Sequence, residues 1–144
     1  MKIAIGCDHA GFTLKEKLKE RLAKQGHEIF DLGTNSPDRC DYPDYAGPVA
    51  AAVADKKAER GVLVCGSGIG MCMAANRHLF VRAAVLHDEF DAEMSRRHNN
   101  ANVACLAARK PDHDAQMRLL DIFLKTPFDG GRHEARVAKL DEKI

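Results

Sequence analysis

The sequence Gly61-Val-Leu-Val-Cys-Gly-Ser-Gly-Ile-Gly-Met-Cys-Met-Ala-Ala-Asn76 decides the fold of this chain. Residues 61–64 carry no polar side chain, which is typical of a parallel strand covered on both faces. Three alternating glycines follow, and glycine lets the backbone take positive φ and bring bare N–H groups close to a ligand. A helix over residues 69–77 should come next, and its N-terminus favours an anion at the same place. The segment therefore predicts a central strand, an anion-binding turn and a helix.

Alternating strand and helix patterns extend from this segment in both directions. Strands are expected over residues 2–6, 27–31, 81–86 and 102–107, in addition to the central one. Helices are expected over residues 12–24, 45–57, 87–97, 112–124 and 133–143, with Asp112 as an N-cap. Five strands alternating with helices predict an α/β fold, because right-handed crossovers wind them into a doubly wound, three-layer α/β/α sandwich with a parallel, Rossmann-like sheet.

The whole chain, residues 1–144, is expected to form one domain. Its 144 residues and 15.8 kDa can bury roughly two thirds of the unfolded surface without staples. The net charge of +1 argues against a nucleic-acid partner. The apolar run at residues 3–6 is too short for a signal peptide, and no apolar run approaches the roughly 18 residues of a membrane span. A cytoplasmic protein without membrane contact is therefore expected.

The five cysteines do not form a metal-binding or disulfide pattern. Their number is odd and no C-x-x-C spacing occurs, which disfavours a disulfide framework and a four-thiolate zinc site. Most of them, including Cys72, are expected to be small core residues. Cys65 is the exception, because of the glycine turn that follows it.

Two phosphate-binding motifs are nearly matched, and both fail. Residues 6–13 approach the G-x-x-x-x-G-K-[ST] loop, but Phe12 replaces the lysine that neutralises the β- and γ-phosphates. Gly66, Gly68 and Gly70 do not fit the G-x-G-x-x-G spacing, and they follow the third strand rather than the first. The turn is therefore expected to bind an anion smaller than a nucleotide.

Polar residues gather at the predicted carboxyl ends of the strands, where ligands bind in this fold class. Asp8-His9, Cys65-Gly66, His87-Asp88 and Arg109 follow strands one, three, four and five. Composition alone makes Cys65 a buried core thiol, but the turn and the helix N-terminus favour a thiolate that acts as a base. Asp8-His9 fits either a local turn pair or a polar pair at the site.

Two basic segments have both a structural and a functional interpretation. His98 lies either on a solvated helix end or within reach of the site, where an imidazole that titrates near neutrality serves as an acid or a base. Arg132 and Arg136 are spaced i, i+4 beside His133. They form either a surface ion-pair helix or, with Arg109, a phosphate-binding fork. The apolar face of this last helix is expected to pack on a partner subunit and consists of Val137, Leu140 and Ile144.

Five motifs stand in order along nearly the whole chain. They are Gly6-Cys-Asp-His-Ala-Gly11, Asp41-Tyr-Pro-Asp44, Cys65-Gly-Ser-Gly-Ile-Gly70 with Ala74-Ala-Asn76, Arg97-His-Asn-Asn100 with Asn102-Val103, and Gly130-Gly-Arg-His133 with Arg136. Together they make the chain closely resemble the type B ribose-5-phosphate isomerases, in the wider family that includes galactose-6-phosphate isomerase subunits. Five motifs in order are far more specific than any one of them.

The resemblance implies an aldose–ketose isomerase without metal or organic cofactor, with active sites shared between the subunits of a homodimer or of a tetramer. It implies that Cys65 moves a proton between C2 and C1 of a sugar phosphate, that Ser67 shuttles the hydroxyl proton, and that His98 with Asp8 opens the furanose ring. The implied anion hole for the enediolate is the backbone of Gly66, Gly68, Ile69 and Gly70. The implied ligands of the sugar oxygens are Tyr42 and Asn99, and those of the phosphate are His9, Arg109, Arg132, His133 and Arg136.

Some members of the family have a glutamate base at the position of Met71 and no cysteine at the position of Cys65, so this chain resembles the thiolate subgroup.

The sequence leaves three functions open, of which two are isomerases with different substrates. The substrate is ribose 5-phosphate or a six-carbon phosphate such as allose or galactose 6-phosphate. The third function is a sugar-phosphate binding module without turnover, which the joint presence of Cys65, His98 and Asp8 disfavours.

Overall fold

Residues 1–142, which the computed structural model describes, form a five-stranded sheet with helices on both faces. The strands are β1 (Lys2–Cys7), β2 (Glu28–Asp31), β3 (Arg60–Cys65), β4 (Ala83–Val85) and β5 (Val103–Ala107). The α-helices are α1 (Phe12–Lys24), α2 (Pro43–Ala54), α3 (Ile69–Ala75), α4 (Glu89–Arg97), α5 (His113–Lys125) and α6 (Glu134–Leu140). Short 3₁₀ turns, His9–Gly11 and Gly131–His133, precede α1 and α6.

The sheet is parallel throughout, and its strands run in the order β2-β1-β3-β5-β4. The chain winds outward from β1 to β2 and then returns past β1 to β3, so the direction of winding reverses between β1 and β3. In open α/β sheets, ligands bind in the crevice at such a reversal, outside the carboxyl ends of the strands. The predicted doubly wound α/β/α sandwich is confirmed, and its switch point lies between the ends of β1 and β3.

Two apolar layers join the sheet to its helices. Along β1, Ile3, Ile5 and Cys7 cluster with α1 and α5, whereas Ala4 between them clusters with α2 on the other face. Cys65 at the end of β3 belongs to this second layer, beside α2 and α3. All five side chains are buried, as expected for strands covered on both faces.

Helix α2 follows the predicted position but not the predicted bounds. Its alanines lie against the sheet, and Ala46 and Ala50 are fully buried. It starts at Pro43, two residues before the predicted start, because proline lacks an N–H that the first turn of a helix would leave unpaired. It ends at Ala54 rather than at residue 57, because Lys56 takes a φ of +59° and terminates the helix.

The segment around β4 is less regular than predicted. The strand covers Ala83–Val85 instead of residues 81–86, because the backbone N–H of Arg82 donates to the side-chain Oδ1 of Asn102 at 2.8 Å rather than to a ladder carbonyl. Helix α4 starts at residue 89 rather than 87, since Asp88 caps it through the N–H of Asp91 at 2.8 Å. The predicted N-cap of α5, Asp112, is confirmed.

The last helix is shorter than the predicted span of residues 133–143. Helix α6 ends at Leu140, which is 59% exposed, whereas Val137 on the same face is buried. Ile144, the third residue of the expected apolar face, lies outside the described residues. Packing of this face on a partner subunit therefore stays a prediction. Within residues 1–142, every helix is too short or too polar to cross a bilayer.

Candidate active site

A cleft of about 340 Å³ opens at the carboxyl ends of β1 and β3, where the sheet has its switch point. The turns after β1, β3 and β5 and the loop before α2 all contribute to it. Its lining residues are Asp8, Ala10, Tyr42, Cys65, Gly66, Ser67, Gly70 and Arg109. All of these except Ala10 are residues that the sequence pattern singles out, and they meet where the fold predicts a ligand.

Cys65 lies at the centre of this cleft and is 5% exposed. Its Sγ accepts a hydrogen bond from the backbone N–H of Gly68 at 3.1 Å. Gly68 is the N-cap of α3 and has a φ of +78°, which glycine adopts without strain. A Cβ at this position would also lie 3.3 Å from the carbonyl of Leu106. The turn therefore directs a backbone N–H group at the sulfur.

Ser67 and Asp8 flank the thiol on neighbouring strand ends. The Oγ of Ser67 accepts a hydrogen bond from the backbone N–H of Ile69 at 3.2 Å. This N–H group of the expected anion hole therefore already has a partner within the turn. The Asp8 side chain is buried, and its Oδ1 accepts the N–H of Gly11 at 3.1 Å. This bond fixes a carboxylate at the end of β1, in the same cleft as the thiol.

Two long side chains lie directly on glycines of the turn. The guanidinium of Arg109 covers Gly66, where an added Cβ would be 3.1 Å from Nε. The ring of Tyr42 covers Gly70, where an added Cβ would be 2.8 Å from Cζ. Each glycine leaves the space that the neighbouring side chain occupies. The cleft is thus walled by a cation and a phenol as well as by backbone N–H groups.

His9 lies next to the cleft without lining it. Its Nδ1 accepts the backbone N–H of Cys40 at 3.3 Å and also lies 3.2 Å from the Cys40 carbonyl oxygen. Cys40 belongs to the long loop between β2 and α2, which carries Tyr42. His9 therefore ties that loop to the turn after β1.

Lys15 of α1 holds the start of the same loop. It is fully buried, and its Nζ donates to Asp31 Oδ2 at 2.8 Å and to the Thr34 carbonyl at 2.9 Å. Burial raises the pKa of Asp31, but hydrogen bonds from Lys15 and Lys19 outweigh it and hold that pKa below its ordinary value. The loop before Tyr42 is thus fixed at both ends, by an ion pair and by an imidazole.

A second cleft, of about 370 Å³, contains most of the remaining predicted residues. It is lined by His98, Asn99, His133, Arg136, Val137 and Leu140. His98 is the C-cap of α4, and His133 ends the 3₁₀ turn before α6. Their rings stack with centroids 4.4 Å apart and an interplanar angle of 13°. Arg132 lies on the same 3₁₀ turn and is exposed.

Asp129 completes this second cluster, although no motif in the sequence indicates it. A carboxylate oxygen of Asp129 and a ring nitrogen from each of His98 and His133 lie within 4.8 Å of one another. The Nε of Arg97 donates to both carboxylate oxygens, at 3.1 and 3.2 Å, and lowers the pKa of Asp129. With Arg97 on the carboxylate and Arg136 in the cleft, the cluster suits a proton and an anion better than a metal cation.

Within one chain, the two clefts lie at opposite ends of the strands, which are called here the carboxyl edge and the amino edge of the sheet. Cys65 ends β3 at the carboxyl edge, whereas His98 and Asn99 precede β5, whose first residue Val103 pairs with Gly61 near the start of β3. A five-residue strand spans about 17 Å. Within one chain, the structure does not bring His98 to the thiol, because α4 runs back to the amino edge before β5 begins.

Cys72 differs from the inert core residue expected from the sequence. It is only partly buried, and its Sγ accepts a hydrogen bond from Asn76 Nδ2 at 3.4 Å. Hydrogen bonding with Cys105 lowers the pKa of Cys72 to about 7, with help from Asn76, and raises that of Cys105. Burial instead raises the pKa of Cys7 to about 12. Cys72 gains this setting from β5, which is distant in sequence.

The fold and the first cleft define a doubly wound α/β protein with a thiol at a glycine-rich turn. The profile of the ribose/galactose isomerase family matches residues 3–140. This chain belongs to the ribose/galactose isomerase family, and the family predicted from the five motifs is confirmed.

Individual relatives cover the chain almost completely. Ribose-5-phosphate isomerase B of Escherichia coli (strain K12) is 42% identical over 136 residues, which are 94% of this chain and 91% of that protein. The structure of a ribose 5-phosphate isomerase from Thermotoga maritima matches with a TM-score of 0.95 and 47% identity, over 99% of this chain and 98% of that one. The structure of ribose-5-phosphate isomerase B from Mycoplasma genitalium, solved with bound ribulose-5-phosphate, matches with a TM-score of 0.93 and 42% identity. The match covers 97% of this chain and 93% of that one.

Proposed function

We propose that this protein is a cofactor-independent aldose–ketose isomerase that interconverts ribose 5-phosphate and ribulose 5-phosphate. The observation that carries the proposal is the Cys65 thiol, which lies in the switch-point crevice 3.1 Å from the N–H of Gly68. The family and the ribulose-5-phosphate bound to the Mycoplasma genitalium relative support a five-carbon sugar phosphate as the substrate.

The reaction is a proton transfer between neighbouring carbons. The Cys65 thiolate removes the proton from C2 of the open-chain aldose, and the electron pair moves through the new C1–C2 double bond onto O1. Backbone N–H groups of the glycine turn stabilise this oxyanion, an effect typically worth roughly 3–4 kcal/mol per donor. Ser67 moves the hydroxyl proton from O2 to O1, and the Cys65 thiol returns its proton to C1. Substrate and product are therefore isomers, and the thiolate is regenerated.

Ring opening and phosphate binding are assigned to a site shared by two copies of the chain. Because the two clefts lie at opposite edges of one sheet, the second cleft of one subunit completes the first cleft of the other in a homodimer. His98 of one subunit then opens the furanose ring with Asp8 of the other, and Asn99 joins Tyr42 on the sugar oxygens. The phosphate ligands are assigned as His9, Arg109, Arg132, His133 and Arg136. A tetramer and a cytoplasmic location stay predictions.

Replacing Cys65 with alanine tests the chemical assignment. The wild-type protein should exchange the C2 proton of ribose 5-phosphate with deuterated solvent, and Cys65→Ala should reduce this exchange by about 10²–10⁴-fold, because the base is missing. NMR of the C2 proton measures the exchange. Cys72→Ala removes a thiol from α3, outside the cleft, and it should retain exchange. Normal exchange in Cys65→Ala would contradict the assignment.

A further inference from the structure

The loop between α5 and the second 3₁₀ turn carries Asp129, a carboxylate that the proposed function does not use. It lies with the ring nitrogens of His98 and His133 in a group spanning no more than 4.8 Å. The Asp129 side chain is 33% exposed, and His133 is 7% exposed. The backbone N–H of Asp129 donates to the Arg97 carbonyl at 3.0 Å, which holds the loop against the end of α4.

A negative neighbour favours a proton on the stacked rings. Two imidazoles with centroids 4.4 Å apart repel each other when both are protonated. Burial lowers the pKa of His133, and His98, Arg132 and Arg136 lower it further, whereas Asp129 acts in the opposite direction.

The other charged groups near the rings do not replace Asp129. Arg97, on α4, binds the Asp129 carboxylate and also donates to Glu93 at 3.0 Å. Glu93 therefore faces the guanidinium of Arg97, which lies between Glu93 and Asp129. Arg132 and Arg136, on the 3₁₀ turn and α6, are cations. Glu134 begins α6, and its Oε1 lies beside Gly130, whereas the carboxylate of Asp129 lies with the ring nitrogens of both histidines.

We infer that Asp129 is a positioning residue for ring opening: its carboxylate orients the stacked His98–His133 pair and keeps one proton on it. The inference rests on the proposed function, in which His98 opens the furanose. In that step the pair donates a proton to the ring oxygen as the bond between C1 and that oxygen breaks. The C1 hydroxyl gives its proton to the Asp8 carboxylate as the C1 carbonyl forms. One proton is donated and one is accepted, and no oxidant or reductant takes part.

Two substrates separate ring opening from the proton transfer at carbon. Ribose 5-phosphate closes to a furanose and must be opened before C2 can be deprotonated. Ribulose 5-phosphate is acyclic, because its phosphate occupies the C5 oxygen that would close a five-membered ring. Isomerisation of ribose 5-phosphate therefore needs both steps, whereas exchange of a C1 proton of ribulose 5-phosphate with solvent needs the enediolate step alone.

Asp129→Asn should lower kcat for ribose 5-phosphate roughly tenfold and leave C1 exchange from ribulose 5-phosphate within about twofold of wild type. Because Asp129 raises the pKa of His133, the substitution lowers that pKa, and the alkaline limb of the ribose 5-phosphate rate profile should move to lower pH. Glu93→Gln removes the other carboxylate from Arg97 without touching the rings. This control should behave as wild type with both substrates.

Each failure has a distinct signature. An equal loss with both substrates would assign Asp129 to folding or phosphate binding, and unchanged rates with both would remove it from the reaction; either result overturns the inference. NMR titration of the His133 ring protons supplies a readout independent of turnover, and an unshifted titration in Asp129→Asn also overturns it. A wild-type protein that exchanges neither substrate's proton would overturn the proposed function itself.

Discussion

At the scale of single residues, each glycine of the turn after β3 has its own reason to be glycine. Gly68 takes a positive φ so that its N–H can reach the Cys65 sulfur. Gly66 makes room for the Arg109 guanidinium and Gly70 for the Tyr42 ring. The turn therefore sets both the donor on the thiol and the two side chains that wall the cleft.

Gly70→Ala should displace the Tyr42 ring without unfolding the protein. The new Cβ would lie 2.8–3.0 Å from three ring atoms, but the ring is 40% exposed and can swing away. Since Tyr42 is assigned to the sugar oxygens, we expect KM for ribose 5-phosphate to rise about tenfold, with a smaller change in kcat. Steady-state kinetics and a thermal melt measure the two effects.

Gly47→Ala is the matched control on helix α2. The nearest atom to its new Cβ, His78 Nε2, is 3.9 Å away, which is ordinary van der Waals contact. Alanine inside a helix is favoured over glycine by roughly 0.5–1 kcal/mol, so this variant should be more stable than wild type, with unchanged KM. A similar rise of KM in both variants would refute the steric explanation for Gly70.

At the scale of elements, α1 and the loop after β2 depend on one buried cation. Lys15 is fully buried, its Nζ donates to Asp31 and to the Thr34 carbonyl, and the Phe12 ring lies 5.6 Å from that nitrogen. A buried ammonium is stable only when its donors are paired. The loop that carries Tyr42 therefore owes its start to a side chain from the helix before it.

Lys15→Met should destabilise the protein by roughly 2–3 kcal/mol, because Asp31 loses its buried partner but keeps Lys19, whose Nζ lies 2.6 Å from Oδ2. Urea unfolding measures the change. Since the pKa of Asp31 is lowered in the folded state, the pair stabilises above its ordinary value of 3.8 and is lost as the pH falls through the lowered value. The difference between wild type and variant should therefore shrink in acid.

Lys17→Met is the control on the exposed side of the same helix. It removes one charge with no buried partner, so its free energy of unfolding should stay within about 0.5 kcal/mol of wild type. Equal losses in both variants would mean that the overall charge of α1, and not the buried pair, stabilises the fold.

What could be predicted from the sequence depends on how local each feature is. The order of elements, the N-cap at Asp112 and the glycine turn after Cys65 follow from neighbouring residues, and the structure bears them out. The predicted start of α2 is wrong by two residues, because Pro43 can either end a helix or occupy its first turn, and the local pattern does not distinguish the two. The acidity of Cys72 depends on a thiol from a different strand, which no local pattern contains.

The site was only partly predictable for the same reason. The residues of the first cleft other than Tyr42 follow the ends of strands, so the fold class brings them together. The place of His98 depends on the direction in which α4 runs, which puts it at the other edge of the sheet. Asp129 meets His98 only through the loop after α5, so its position next to a glycine pair indicates a turn and nothing more.

At the scale of the whole molecule, the separation of the two clefts makes the shared site testable. Cys65→Ala and His98→Gln should each be inactive alone, because each spoils both sites of a homodimer. After mixing, unfolding and refolding, a dimer with one subunit of each kind has one site with both residues intact. Random pairing should therefore restore about a quarter of wild-type activity, measured as isomerisation of ribose 5-phosphate.

The matching control mixes two variants that spoil the same half of the site. When Cys65→Ala is refolded with Ser67→Ala, every subunit carries a substitution in its first cleft. Because each site takes its first cleft from a single subunit, every site in the mixture is defective. This mixture should give no more than the sum of its separate activities. Recovery there, or none in the first mixture, would contradict a site shared between subunits.

The strand order also bears on how the chain is made. Paired residues of neighbouring strands are at least 20 positions apart in sequence, as Ala83 and Val103 are, so each pairing must wait for a helix to be synthesised in between. The strand β5, which fills the place between β3 and β4, is the last to leave the ribosome. Until then the facing edges of β3 and β4 are open, and unpaired strand edges are prone to aggregate. A nascent chain that stalls before Val103 therefore exposes the two strand edges that β5 covers in the finished protein.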